Sequence, residues 1–133
     1  NAIHIAVNEE ADMFVVELAA LLHDIADWKF NDGDIDEGPR QAQEWLQGLG
    51  VDYGVISHVC EIISGISFKG AGVTTAMRTI EGRVVQDADR LDAIGAIGIA
   101  RTFAYGGHLN HEIYNPEKNP ELHNTFEEYK NGK

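Results

Sequence analysis

Apolar positions along the chain recur every three or four residues, a spacing that predicts helices from one end of the chain almost to the other. Ile3, Ala6 and Val7 keep that spacing ahead of Glu9 and Glu10, which mark the wet side of an amphipathic helix already under way at Asn1. A helix preceding Asn1 is therefore expected. Asp12 suits an N-cap for a second helix running to about Ala26, with Phe14, Val15, Leu18, Leu21, Leu22 and Ile25 as its stripe. Ala19 and Ala20 broaden that stripe, so this helix should be central and largely buried.

Trp28 to Gly38 is rich in Asp, Asn and Gly and reads as a loop. Its acids Asp32, Asp34, Asp36 and Glu37 miss the offsets of a calcium loop and are read as solvated. Gly38-Pro39 opens the next helix, where proline's missing N–H costs nothing. Ala42, Trp45, Leu46 and Leu49 form its apolar face, and Gly48 and Gly50 end it. Asp52 caps a further helix through Val55, Ile56, Val59, Ile62, Ile63 and Ile66; a strand at Ile62 to Ser67 is the alternative, and the period favours helix.

Ser67 to Gly72 interrupts the pattern with two glycines beside Lys69, and Thr74 to Gly82 should be irregular. Arg83 to Ala104 is expected to be one long helix ending at Tyr105-Gly106-Gly107. Gly95 and Gly98 would let it pack tightly on the helix that carries His23. From His108 onward the chain turns polar, with His108, His111 and His123 too spread for a tight metal site. A loop or tail is expected there, with closing helices lying beyond Lys133. Fold class is thus all-α.

The 133 residues suffice for one core, and a formal net charge of −12 argues against a nucleic-acid polymer or an anionic membrane surface as partner. No stretch approaches the roughly 20 apolar residues of a membrane span. One cysteine, Cys60, excludes an intramolecular disulfide and suits a reducing cytosol, so a cytoplasmic protein is expected; Cys60 itself reads as core rather than nucleophile.

Candidate chemistry concentrates in two places. Leu21-Leu22-His23-Asp24-Ile25-Ala26-Asp27 brings an imidazole and two carboxylates into an apolar helix, and Asp87-Ala88-Asp89-Arg90-Leu91-Asp92 brings further acids. A hydrogen-bonded core histidine or a solvated helix end is the alternative for the first. Buried carboxylates are costly unless paired or metal-bound, which favours a mixed nitrogen and oxygen site for Mn, Fe, Mg or Zn. Such an ion can activate water and polarise a phosphoryl oxygen. Asp27, one turn after His23, is placed to move a proton. Lys69 and Arg90 are the candidate phosphate-binding cations, although the Lys69 loop reads equally well as a plain surface turn and Arg90 could equally pair with Asp87 or Glu81.

These motifs resemble the HD superfamily of metal-dependent phosphohydrolases, whose pattern is His, His-Asp, Asp. The phrases Leu18 to Phe30, Ser67-Phe68-Lys69-Gly70 and Val85 to Gly98 are similar to one bacterial, uncharacterised-hydrolase branch that includes a nucleoside triphosphate pyrophosphohydrolase. The resemblance implies an HD-domain helical bundle with irregular loops, a single domain over residues 1–133 lacking its N-terminal helix and C-terminal helices. It implies His23, Asp24 and Asp89 as metal ligands, with Asp87 the alternative to Asp89, and Asp27 as the acid that assists water. The pattern's first histidine would fall upstream of Asn1, because His4 lies too close to the end of its helix. Implied function is hydrolysis of a small phosphorylated substrate, most plausibly a nucleotide, by a protein that could be a homo-oligomer. The competing class is a non-catalytic HD-like module that binds metal or nucleotide.

Overall fold

The computed structural model describes residues 1–27, 30–31, 33–119 and 122–131; Trp28, Lys29 and Asp32 of the expected loop, and Pro120, lie outside the described residues. The described residues form seven helices and no strand: α1 (Ala2–Ala6), α2 (Met13–Leu22), α3 (Glu37–Gly48), α4 (Tyr53–Ile66), α5 (Ile80–Asp92), α6 (Gly95–His108) and α7 (Phe126–Asn131). None is long and apolar enough to cross a membrane. The chain divides into two compact units, one of Asn1–Phe68 with Thr75–Asp89, the other of Lys69–Thr74 with the described residues from Arg90 onward.

The first unit holds the core. Two aspartates start its helices as the sequence predicts: Asp12 Oδ1 accepts from the Phe14 and Val15 N–H groups at 2.9 and 3.3 Å, and Asp52 Oδ1 from Gly54 and Val55 at 2.8 and 3.4 Å. α4 is the central element, burying Ile56, Val59, Ile62, Ile63 and Ile66 against α2 and α3. α3 contributes Ala42 and Leu46, and α5 contributes Val84, Val85 and Ala88. Half-buried Cys60 donates its S–H to the Pro39 carbonyl at 3.4 Å, and burial pushes its thiol pKa up, so it is no activated nucleophile.

α2 departs from the expected stripe. Val15, Val16, Ala19 and Leu22 are buried, whereas Phe14 and Leu21 are 52% and 74% exposed. Small side chains at 16 and 19 let α2 approach α4 closely, and the larger residues flank that contact. On α3, Trp45 and Leu49 are likewise exposed beside buried Leu46.

The second long helix is also revised. It starts at Ile80, earlier than expected, and breaks after Asp92, so residues 83–104 are two helices rather than one. Gly95 takes φ +68°, a left-handed conformation open to glycine at little cost, and that residue turns the chain. The Gly98 backbone lies so near the Ala93 carbonyl that a Cβ there would clash with the oxygen. The two glycines thus serve the break between α5 and α6. In the second unit Ile97, Ile99 and Phe103 of α6 are exposed, and α7 forms where no closing helix was expected.

Leu46→Ala should destabilise the chain by about 2–5 kcal/mol, because it opens a cavity between α3 and α4. Leu49→Ala, three residues on but 62% exposed, should stay within about 0.5 kcal/mol. Urea unfolding followed by circular dichroism separates the two.

Candidate functional site

α2 ends at Leu22, and His23 occupies its C-cap with φ −59° and ψ −30°. The chain then tightens into a turn in which the Ile25 N–H donates to the Leu22 carbonyl at 3.0 Å. A helix end leaves its last carbonyls without partners. His23 Nδ1–H donates to one of them, that of Ala20, at 2.9 Å. This bond fixes the ring and leaves Nε2 as its working atom, as a backbone carbonyl commonly does for a metal-binding histidine.

Nε2 faces two carboxylates. Asp24 Oδ2 is 3.3 Å away and Asp89 Oδ1, from two turns into α5, is 3.6 Å away. All three residues belong to the first unit. The imidazole and Asp89 are partly buried, with side chains 23% and 32% exposed, while Asp24 is 63% exposed and keeps one side open to solvent. The residues predicted from the two acidic motifs are therefore brought together. Of the two alternatives on α5, it is Asp89 that reaches the histidine; Asp87 is exposed.

Two carboxylates around one imidazole demand a positive charge. In the protein alone a proton supplies it: hydrogen bonding to Asp24 first and Asp89 second, opposed by burial, drives the His23 pKa from 6.5 up to about 10. A divalent cation is the other solution, and the donor set suits one. Ligands sharing a first-row cation at about 2.1 Å lie about 3–3.6 Å from each other, near the spacings found here. Among the described residues no group of three or more His, Cys, Asp and Glu is placed to hold a metal ion as it stands, so His23, Asp24 and Asp89 would have to draw closer to bind one. His4, exposed on α1, is not added to this cluster.

The remaining predicted residues are placed differently. Asp27 follows the turn, its backbone carbonyl accepting from the Phe30 N–H at 3.0 Å and from Asn31 Nδ2 at 2.8 Å. Lys69 and Arg90 belong to the second unit. There the Lys69 ammonium lies 5.8 Å from the centre of the Phe126 ring, and a Cβ on Gly70, at φ +118°, would stand 2.8 Å from the His123 carbonyl oxygen. The glycines of this loop are thus explained by the close passage of residues 123–125. Sequence reading missed the Ala20 carbonyl, which carries no side-chain signal, and a group built on His58, Thr79 and Glu81. Glu81 does not act as an ion-pair partner within α5; its oxygens face Asp12 and His58.

Comparison with known proteins places these residues in context. The model of the HD domain matches residues 1–94. The chain is 41% identical over 123 residues to the Bacillus subtilis protein YpgQ, covering 92% of this chain and 60% of that protein. A Lactobacillus plantarum crystal structure superposes with a TM-score of 0.80 at 35% identity, over 98% of this chain and 60% of that one. The crystal structure of Bacillus subtilis YpgQ in complex with ADP gives a TM-score of 0.67 at 39% identity, over 88% of this chain and 59% of that one. The chain therefore spans about 60% of the length of these relatives.

The raised His23 pKa fixes a sign. Folded-state pairing favours the protonated ring, so its stabilisation is fully present below about pH 6.5, the unfolded value, and is lost as pH rises toward 10. With chelator present, NMR titration of the His23 ring should give a midpoint far above 6.5, lowered more by Asp24→Asn than by Asp89→Asn. A midpoint near 6.5 would show that the carboxylates do not engage the ring.

Proposed function

The chain belongs to the HD domain family, and on that footing we propose that it is a metal-dependent phosphohydrolase acting on a small phosphorylated molecule, with a nucleotide as the substrate class. The observation that carries this reading is the meeting of Asp24 and Asp89 at His23 Nε2, since that juxtaposition of one nitrogen and two carboxylates suits a divalent ion. YpgQ, crystallised with ADP, supports the nucleotide. Metals of the Mn, Mg, Fe and Zn group all suit the donors.

A divalent ion held by His23, Asp24 and Asp89 would supply Lewis acidity toward a phosphoryl oxygen and lower the pKa of a water. The protein's own residues do the rest. The Ala20 carbonyl holds the His23 ring so that Nε2 stays directed at the carboxylates. Exposed Asp24 leaves the substrate side open, and Asp89 closes the buried side. Asp27, three residues beyond Asp24, would accept the proton released when water attacks phosphorus. Lys69 and Arg90 are assigned to phosphate oxygens on chemistry: an ammonium beside a glycine loop, and a planar guanidinium next in sequence to Asp89.

The test is an assay of the natural full-length protein, loaded with each metal, against a panel of nucleotides and phosphoesters. Asp24→Ala and Asp89→Ala should each lower kcat/KM by about 10³-fold or more, or about 4 kcal/mol of transition-state stabilisation, while Asp87→Ala should leave it within about threefold. Metal-supported turnover that survives Asp24→Ala would overturn the reading. Binding of metal and nucleotide without turnover would favour the non-catalytic module.

A further inference from the structure

The helices that carry His23 and Asp89 are tied at their other ends by a group with no part in the chemistry proposed above. Asp12 caps α2 through its side chain, but its own N–H also needs an acceptor. In a capping box a glutamate three residues on accepts that hydrogen bond. Here that position is Val15, 3% exposed in the core. The acceptor comes instead from α5, 69 residues away: the Asp12 N–H donates to Glu81 Oε1 at 3.0 Å. The second oxygen, Oε2, is 3.6 Å from His58 Nε2, and that nitrogen is 2.9 Å from Thr79 Oγ1. Thr79 Oγ1 in turn accepts from the Gly82 N–H at 3.2 Å in the first turn of α5. Glu81 is thus held from both sides, its side chain 12% exposed.

We propose that Glu81 is a positioning residue that sets the register of α5 against α2 and so brings Asp89 to His23. The two helices run parallel, touching at Asp12–Glu81 near their starts and at His23–Asp89 farther along. Between these points α2 advances about 16 Å and α5 about 12 Å at 1.5 Å per residue, a difference that side-chain reach can span. The apolar residues α5 buries in this unit, Val84, Val85 and Ala88, are small and offer little resistance to sliding. A hydrogen bond is directional and does resist it. A slip of one residue, about 1.5 Å, would carry Asp89 Oδ1 out of reach of His23 Nε2. The consequence for metal binding rests on the function proposed above; the register itself does not.

Two readouts on the full-length chain keep the two ideas apart. Spin labels at exposed Leu21 on α2 and exposed Arg83 on α5, in a Cys60→Ser background, report the register without any metal. Mn²⁺ affinity, from the free-ion EPR signal, reports the site. Glu81→Ala should broaden the distance distribution and weaken Mn²⁺ binding by about tenfold to a hundredfold, the range seen when a group that orients a metal ligand is lost. Glu81→Gln, which keeps an oxygen for the Asp12 N–H, should restore both. Leu46→Ala, which destabilises a distant part of the core, should alter neither. An unchanged distribution in Glu81→Ala would overturn the proposal, as would Glu81→Gln behaving like Glu81→Ala or Leu46→Ala reproducing the effect. A broadened distribution in a protein whose unmutated form binds no Mn²⁺ would support the register role and overturn the metal reading.

Discussion

Everything chemical in this molecule depends on one imidazole held at a helix end. The Ala20 carbonyl fixes His23 through Nδ1, and the other nitrogen is left between two carboxylates. A group of this kind in a partly buried place is stable only if some cation balances it. A proton can do so, and so can a divalent metal. Proton and metal would therefore compete for the same atom, and entry of a metal would release the proton that Asp24 and Asp89 hold on the ring.

The scaffold around this pair is economical. α4 carries the largest share of the core and packs against α2, so the C-terminal end of α2 is presented by a supported element. Asp24 and Asp89 reach the same ring nitrogen from different elements: one is the next residue in the turn, the other arrives on α5. Burial differs accordingly: the Asp24 carboxylate is mostly open to solvent, whereas the His23 ring and Asp89 are partly covered. With a formal charge of −12, any phosphorylated molecule of the kind proposed above would need local positive charge to approach, which a bound cation would supply.

Much of this was legible in the sequence because its causes are local. Asp12 and Asp52 were readable as caps since an aspartate before an apolar run has a standard use for its oxygen. His23, Asp24 and the Asp87 to Asp92 cluster were readable as candidates because acids inside apolar helices need a reason to be there, while the preference for Asp89 within that cluster came from the resemblance to the HD pattern. Orientation was less legible. Phe14 and Leu21 fit a helical stripe as well as Val16 and Ala19 do, and only closeness to α4 decides which are covered. The break after Asp92 was hidden because Gly95 is tolerated in a helix and also suits a left-handed turn. Glu81 was invisible as a cap because its donor lies 69 residues away, beyond the reach of any spacing rule.

Diffraction from crystals grown with Mn²⁺, recorded at the manganese edge, is the most direct measurement. A single anomalous peak about 2.0–2.3 Å from His23 Nε2 and from a carboxylate oxygen of both Asp24 and Asp89 is the predicted result. A peak that leaves any one of the three uncoordinated, or a fully loaded protein with manganese only elsewhere, would contradict it.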